Sequence, residues 1–402
     1  GHPLVIFLDD LQWADTSTLK LMQLLATDLS IEYLLIIGAY RDNEVNPTHP
    51  LISTVEEIEK HKKINNITLE PLSNHNVTEL VAETLNDNKE DSSSLAKLIF
   101  NKTGGNPFFV TQLLQSLYQE SLLKFDFNQQ KWLWSIQDIQ SVGITDKSVV
   151  DLVASRIEKL PEITQQMLKL AACIGDKFTL DVLSVVNEES INQTANYLNK
   201  ALEAGLILPL NQNYRIPLLF DDSEQIGSFD NNQIGYKFLH DRVQQAAYSL
   251  IPENKKQATH LRIGQLLKES TSQDKLADNI LDIVNQLNFG IELLKEEREK
   301  LELANLNLLA GQKAKRNSAF EAAIKYLNIG LKLLVENSWQ SHYDLTLGLY
   351  VETAEAEYLT GNFEKSHELA NTSLDKCKNI LDKVRVYEIQ IQAYGAQNQP
   401  LE

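Results

Sequence analysis

Short apolar runs near the start of the chain constrain the fold more than any other feature. An apolar run without polar alternation is typical of a strand buried on both faces, as in a parallel sheet. The runs are residues 4–8, 33–40 and 66–69. Helical patterns follow the first two, over residues 15–29 and 51–60. This alternation predicts an α/β domain with a parallel sheet of at least three strands.

The remainder of the chain reads as mostly helical, because glycine and proline are scarce and leucine is frequent. A helical segment, 73–140, ends in a predicted β-hairpin over residues 125–135. In 141–255 the pattern predicts three helices and a two-stranded ribbon, which together form a winged-helix-like domain. Long helices fill 256–402.

Two stretches of the last segment resemble each other. Residues 317–321 align with residues 360–364 at an offset of 43, and alanines precede both. Small residues on one helix, a turn, an aromatic residue and a second helix are typical of tetratricopeptide-like repeats, although the usual period is about 34 residues. The pattern therefore predicts an α-solenoid of helical hairpins.

Charge and cysteine content exclude several classes of function. The 402 residues include 37 basic and 55 acidic side chains, a net charge of −18. Such a chain is a poor candidate for general electrostatic binding to nucleic acid or to an anionic membrane. Two cysteines, 204 residues apart, exclude a disulfide scaffold and favour a reducing compartment. Since no apolar run is long enough to span a membrane, we expect none in this segment and a cytoplasmic location.

Asp9 and Asp10 follow the first apolar run directly. Ligands bind at the carboxyl ends of strands in open α/β sheets, and an Asp there can hold a magnesium ion. The neighbouring acid can orient or deprotonate an attacking water. The alternative is that the two acids only end a strand and cap a helix.

The run and its extension, Leu11-Gln12-Trp13-Ala14-Asp15, resemble the AAA-type ATPase module of the signal-transduction NTPases with numerous domains (STAND). They look similar to the version found inside large bacterial multi-sensor kinases. The resemblance implies an α/β P-loop NTPase core, here its C-terminal part over residues 1–72, followed by all-α regions. It implies ATP or ADP and Mg²⁺ as cofactors, with Asp9 as the Walker B metal ligand. Asp10 holds the catalytic-acid position. Many AAA ATPases have Glu at this position, so the shorter Asp implies slow hydrolysis.

The resemblance continues in order along the chain. Arg41 matches the sensor 1 arginine, which can pair with the γ-phosphate. An ordinary ion pair with Asp42 or Glu44 is the alternative. Pro107 matches the Gly-x-Pro motif of the helical lid, whose Pro packs near the adenine, and the alternative is that it only opens a helix after the glycines. His240 matches the winged-helix histidine that contacts the β-phosphate of ADP, and the alternative is a structural histidine.

The resemblance covers residues 1–255, and residues 256–402 resemble the helical repeats that follow the module. It implies a Ser/Thr kinase domain before the module, a GAF domain and a histidine kinase after it in the same polypeptide, and protein partners for the repeats. Either kinase could be the output domain. The chain contains no Gly-x-x-x-x-Gly-Lys-Ser/Thr loop, so we expect that loop upstream and no ATP hydrolysis by this segment alone. The rival functions are a DNA-binding regulator and a non-hydrolysing scaffold. Lys200, the only basic residue of helix 190–204, counts against the DNA-binding regulator.

Overall fold

A computed structural model describes residues 2–28, 30–46, 49–142, 148–217 and 234–397, without the side chains of Asn43 and Val149. Contacts divide the chain into two compact units, which are described separately. Unit 1 comprises residues 1–68, 277–284 and 294–402, and unit 2 comprises residues 69–276 and 285–293.

The first part of unit 1 alternates strands and helices. Its elements are β1 (Leu4–Leu8), α1 (Thr16–Thr27), β2 (Leu34–Gly38) and α2 (Pro50–Glu59). The strands are parallel and in register, from Leu4 opposite Leu34 to Leu8 opposite Gly38. Asp15 caps α1, because its Oδ1 accepts a hydrogen bond from the Thr18 amide at 2.6 Å. The predicted end of this helix, residue 29, lies outside the described residues.

Helices α1 and α2 cover one face of this sheet. Their buried side chains, Leu19, Met22, Leu51 and Ile58, form a core with Leu11. The opposite face carries large apolar side chains that are about half exposed: Val5 (56%), Phe7 (61%), Leu35 (54%) and Ile37 (43%). The prediction that these strands are buried on both faces is therefore wrong for the described residues.

The predicted third strand is also absent. Residues 66–69 form no ladder with any described strand, and Ile67 and Leu69 are 81% and 90% exposed. An apolar run becomes a strand only when a neighbouring strand satisfies its backbone groups. In the described part of the chain the sheet has two strands.

Unit 2 begins with a helical cluster and a hairpin. Its elements are α3 (Asn74–Leu85), α4 (Lys89–Thr103), α5 (Pro107–Gln119), β3 (Leu123–Asp126), β4 (Lys131–Trp134), α6 (Ile136–Ser141) and α7 (Val149–Glu158). Strands β3 and β4 pair antiparallel, as the predicted hairpin requires. Apolar side chains from α3, α4 and α5 form one core, against which Trp132 and Trp134 pack.

The next elements of unit 2 enclose a second core. They are α8 (Glu162–Ile174), β5 (Lys177–Thr179), α9 (Leu180–Asn187), α10 (Ile191–Glu203), β6 (Ile207–Pro209), β7 (Gly235–Phe238) and α11 (Asp241–Ser249). The sheet is antiparallel with the order β5-β7-β6. The predicted two-stranded ribbon corresponds to β6 and β7. The sequence did not predict β5, because its partner β7 is distant along the chain.

Unit 2 also includes α12 (Glu253–Ser270) and the ends of α13 (Gln273–Phe289). Helix α12 contacts α8 and α9, although the sequence grouped it with the repeats. Gly264 permits the contact with α13, since a Cβ there would lie 2.7 Å from the Leu287 side chain.

The second part of unit 1 consists of helical hairpins. The helices are α14 (Glu297–Arg316), α15 (Phe320–Leu333), α16 (Ser338–Ser341), α17 (Tyr343–Leu359), α18 (Phe363–Lys376) and α19 (Ile380–Ala396). The turns of hairpins α14–α15 and α17–α18 match at the predicted offset of 43. Ser318 and Gly361 both have positive φ, 59° and 83°. The next residue of each turn donates an equivalent 2.9 Å hydrogen bond, Ala319 to the Ala314 carbonyl and Asn362 to the Glu357 carbonyl. The prediction of helical repeats is confirmed.

An ion-pair network around the buried Glu352 joins three of these helices. Glu352 of α17 pairs with Lys315 of α14, and its Oε1 accepts a hydrogen bond from Arg385 of α19 at 2.5 Å. Burial alone would raise the pKa of Glu352, but the two cations hold it below its ordinary value. No helix in the described part of either unit is both long and apolar enough to cross a membrane.

Candidate functional site

The carboxyl ends of β1 and β2 bring Asp9, Asp10 and Arg41 together. Beyond the last strand pair, the Ala39 amide donates to the Leu8 carbonyl at 2.8 Å, and the Leu11 amide donates to the Ala39 carbonyl at 2.9 Å. These bonds hold the two chain segments side by side after the strands end. The predicted site residues of unit 1 therefore lie at one edge of the sheet.

Gly38 permits the close approach of the segments. A Cβ at this position would lie 2.5 Å from Cδ1 of Leu11. Leu11 is buried, and its packing over the end of β2 fixes the turn that follows Asp10. A larger residue at position 38 would displace that turn.

Asp9 is exposed, and its Oδ1 accepts a hydrogen bond from the Asp10 amide at 3.1 Å. Magnesium in phosphate-binding proteins keeps several waters and takes one or two carboxylates together with substrate phosphates. An accessible carboxylate at a sheet edge fits that requirement. The described residues contain no group of three or more His, Cys, Asp or Glu that could hold a metal by themselves.

Asp10 has a left-handed backbone, with φ 54° and ψ 42°. This conformation is unfavourable for most residues but tolerated by Asp. Its Oδ1 accepts a hydrogen bond from Gln12 Nε2 at 2.9 Å and lies 3.7 Å from Arg41 Nε. The turn and these two partners fix the direction of the carboxylate.

Gln12 is a site residue that the sequence reasoning missed. Its side chain donates to Asp10, and its Oε1 accepts from the Arg41 amide at 3.2 Å. Only 6% of the residue is exposed. A polar amide two residues after Asp10 and between two large apolar residues is the signal that could have identified it, since buried polar groups require partners.

The Arg41 guanidinium has several partners in addition to Asp10. Its Nη1 lies 3.2 Å from Glu44 Oε1, and its Cζ lies 5.4 Å from the centre of the Trp13 ring. Trp13 Nε1 donates to Glu44 Oε2 at 3.2 Å. We refer to Asp10, Trp13, Arg41 and Glu44 as the Arg41 cluster. The sequence alternative of an ion pair with Glu44 is thus observed.

The predicted site residues of unit 2 are Pro107 and His240. Pro107 opens α5, and the Asn106 side chain caps the helix by accepting from the Phe109 amide at 3.2 Å. The preceding Gly104 and Gly105 have φ values of 59° and 78°. A Cβ on Gly105 would lie 2.0 Å from the Leu72 carbonyl oxygen, so glycine is required there.

His240 caps α11 and stacks on the residue after Pro107. Its Nδ1 accepts a hydrogen bond from the Arg242 amide at 3.1 Å, so the neutral ring carries its proton on Nε2. The His240 and Phe108 rings are stacked, with centres 4.2 Å apart and planes at 11°. The structure therefore brings Pro107 and His240 into one neighbourhood.

A buried arginine also ties α5 to the segment that carries β6. Arg156 of α7 donates to the Gln112 side chain and, at 2.9 Å, to the Ala204 carbonyl. Burial lowers the pKa of Arg156. This contact and the Phe108–His240 stack position the start of α5 within unit 2.

Comparisons with known proteins point to signalling kinases. The chain is 32% identical over 389 residues to hybrid signal transduction histidine kinase G of Dictyostelium discoideum, covering 87% of the chain and 11% of that protein. It is 22% identical over 383 residues to peroxide stress-activated histidine kinase mak3 of Schizosaccharomyces pombe, covering 92% of the chain and 15% of that protein. No family model matches the chain.

Among solved structures, the chain is similar to a STAND protein with a tetratricopeptide repeat sensor from Pyrococcus horikoshii. The sequence identity is 15% and the TM-score is 0.38, over 98% of this chain and 53% of the other. At that score the match carries no conclusion about the fold. The chain spans 11% and 15% of the lengths of the two histidine kinases, so it resembles one segment of much larger signalling proteins.

Proposed function

We propose that this chain is the nucleotide-dependent switch segment of a larger signal-transduction histidine kinase, of the AAA/STAND ATPase type. Residues 1–68 would be the second part of an ATPase core, and the helical repeats would contact protein partners. The similarity to two histidine kinases over most of this chain supports the signalling context. The charge of −18 and the described helices give no support to a nucleic-acid or membrane partner.

One observation carries the proposal. Two parallel strands end together at Asp9, Asp10 and Arg41, while Val5, Phe7, Leu35 and Ile37 leave the opposite sheet face uncovered in the described unit. Parallel sheets are normally covered on both faces. The exposed apolar sheet face lies beside Asp9, Asp10 and Arg41. This arrangement supports the proposal that other parts of a longer polypeptide complete the α/β core.

Each residue at the sheet edge has a distinct role in the proposal. Mg²⁺-ATP, when bound, supplies the phosphoryl group that water attacks. The Asp9 carboxylate holds the cation, because it is accessible and anionic. Asp10 orients a water or accepts its proton, and Gln12 fixes the carboxylate for that task. The Arg41 guanidinium pairs with phosphate oxygens in a forked geometry.

Pro107 and His240 belong to unit 2, and their contribution is a separate proposal. Pro107 would pack near adenine and His240 would donate from Nε2 to the β-phosphate of ADP. The stacking of His240 on Phe108 supports the proposal, because it fixes the ring and its tautomer. Replacement of His240 by Ala should then weaken ADP binding more than ATP binding.

The experiment uses the full-length protein and three carboxylate variants. Asp9→Asn should weaken Mg²⁺-dependent ATP binding, whereas Asp10→Asn should preserve binding and slow hydrolysis. Asp15→Asn is the matched control, because it removes the same charge and Asn caps α1 equally well. Calorimetric titration and steady-state turnover measure both effects. Wild-type behaviour in all three variants would remove Asp9 and Asp10 from the site, whereas a wild-type protein that neither binds nor hydrolyses ATP would favour the scaffold function.

The DNA-binding alternative receives no support from α10. Its basic side chain, Lys200, lies 2.7 Å from Glu203 on the same helix. A neutralised cation contributes little to phosphate contacts, which dominate the affinity of proteins for DNA.

A further inference from the structure

The Arg41 cluster holds the guanidinium between two acidic residues and an indole. Glu44 Oε1 lies 3.2 Å from Arg41 Nη1, and Asp10 Oδ1 lies 3.7 Å from Nε. The indole of Trp13 contacts both sides of the pair, because its ring lies under the guanidinium and its Nε1 donates to Glu44. Glu44 is therefore fixed by two partners, one on each carboxylate oxygen.

The cluster is also anchored to the backbone. Arg41, Asp42 and Glu44 lie on one short helical turn that follows β2, and the Glu44 amide donates to the Arg41 carbonyl at 3.1 Å. Gln12 joins this segment to the Asp10 turn. The side chains of Arg41 and Glu44 are 40% and 34% exposed, so water and solutes reach them.

The Arg41 guanidinium can pair with either of two kinds of anion. A guanidinium pairs with a carboxylate or with a phosphate through the same forked donors, and a phosphate carries more charge. The Glu44 pair is partly exposed and therefore weak. A phosphate group at the sheet edge can displace it.

We propose that Glu44 and Trp13 hold Arg41 in a resting position, and that a nucleoside triphosphate takes Arg41 from Glu44 when it binds. This inference rests on the proposed nucleotide site at the same sheet edge. Glu44 is then a regulatory residue that competes with the terminal phosphate for Arg41. Trp13 positions the Glu44 carboxylate. A diphosphate, which lacks the terminal phosphate, leaves the Arg41–Glu44 pair intact.

The first measurement needs no nucleotide. In the 402-residue chain, the Trp13 indole N–H resonance, assigned by Trp13→Phe, should shift in Glu44→Gln and in Arg41→Ala. Glu59→Gln is the control, because Glu59 is an exposed acid of α2 in the same unit. An unchanged Trp13 resonance in both cluster variants would overturn the resting position.

The second measurement uses nucleotide and the full-length protein. Glu44→Gln should tighten the binding of a non-hydrolysable triphosphate about two- to fivefold and leave the diphosphate unchanged. In an Arg41→Ala background the Glu44→Gln change should have no effect, because Glu44 acts through Arg41. A merely structural Glu44 would alter both nucleotides alike and in both backgrounds.

The two possible failures are distinguishable. If the wild-type protein binds no nucleotide, the proposed function fails and this inference fails with it. If the wild-type protein binds triphosphate and Glu44→Gln leaves its affinity unchanged or weaker, only the inference is overturned.

Discussion

Two adjacent glycines before Pro107 offer a matched test of the local structure in unit 2. Gly104 and Gly105 both have left-handed backbones, but only Gly105 is crowded. Nothing lies within 4 Å of a Cβ on Gly104, whereas a Cβ on Gly105 would lie 2.0 Å from the Leu72 oxygen. The Leu72 amide also donates to the Gly105 carbonyl at 2.9 Å. Replacement by alanine should therefore cost different amounts at the two positions.

The costs follow from the contacts. Gly104→Ala should lower the free energy of unfolding by about 1–2 kcal/mol, because alanine is unfavourable in the left-handed backbone conformation. Gly105→Ala has the same cost of a left-handed backbone. In addition, its Cβ must displace the Leu72 carbonyl oxygen by more than 1 Å to reach an ordinary contact distance of 3.4 Å. That displacement adds about 1–3 kcal/mol for overpacking and about 0.5–1.5 kcal/mol for the lost hydrogen bond. We expect Gly105→Ala to be about 2–4 kcal/mol less stable than Gly104→Ala.

Fluorescence of Trp132 and Trp134 reports on the relevant core, because both pack against the α3–α5 cluster. Urea unfolding followed by these residues, with Trp13 and Trp339 replaced by Phe, measures the difference in the free energy of unfolding. Equal stabilities of the two alanine variants would refute the reasoning. The His240 ring resonances provide a second measurement, since displacement of the turn should move Phe108 from its stacked position.

Three further predictions concern other buried polar groups. Burial lowers the pKa of His260 below its ordinary value of 6.5, although the hydrogen bond with Gln286 acts in the opposite direction. Because the folded state favours the neutral ring, the free energy of unfolding of unit 2 should decrease as the pH falls below about 6.5. Urea midpoints at pH 7.5 and 5.5 should differ less in His260→Gln, and an unchanged pH dependence would contradict this. Glu352→Gln should destabilise the repeats by about 1–3 kcal/mol, because Lys315 and Arg385 lose their buried anionic partner. Since the two cations hold the pKa of Glu352 below its ordinary value of 4.5, the difference from the wild type should shrink as the pH falls from about 4.5. Thermal melting at pH 7 and at a series of lower pH values measures the difference, and a difference that does not change with pH would contradict the prediction. Gln12→Leu in the full-length protein should slow ATP hydrolysis with little change in ATP affinity, and turnover measurements showing wild-type hydrolysis would remove Gln12 from the site.

The helical parts of the fold could be predicted because their signals are local. The repeat offset of 43 is visible in the sequence, and the structure gives Ser318 and Gly361 the same backbone conformation in the two turns. Apolar periodicity also located helix 190–204 of unit 2, which the structure gives as α10, Ile191–Glu203. These features depend on neighbours along the chain.

The sheets were harder to predict because strands depend on partners distant in sequence. The run at residues 66–69 has the composition of a strand but no described neighbour to pair with. Strand β5 has only three residues and exists because β7 pairs with it. The contacts of Gln12 with Arg41 and of Trp13 with Glu44 were missed for a similar reason, since they span 29 and 31 residues of the sequence.

The most direct test of the central claim is to locate the metal of bound nucleotide on the chain. Fe²⁺ in place of Mg²⁺, with ATP, ascorbate and peroxide, cleaves a polypeptide close to the metal. In the full-length protein the account predicts ATP-dependent cleavage around Asp9 and Asp10 and around Arg41, lost in Asp9→Asn and retained in Asp15→Asn. ATP-dependent cleavage elsewhere, with none at the ends of β1 and β2, would contradict the assignment of this sheet edge as the nucleotide site.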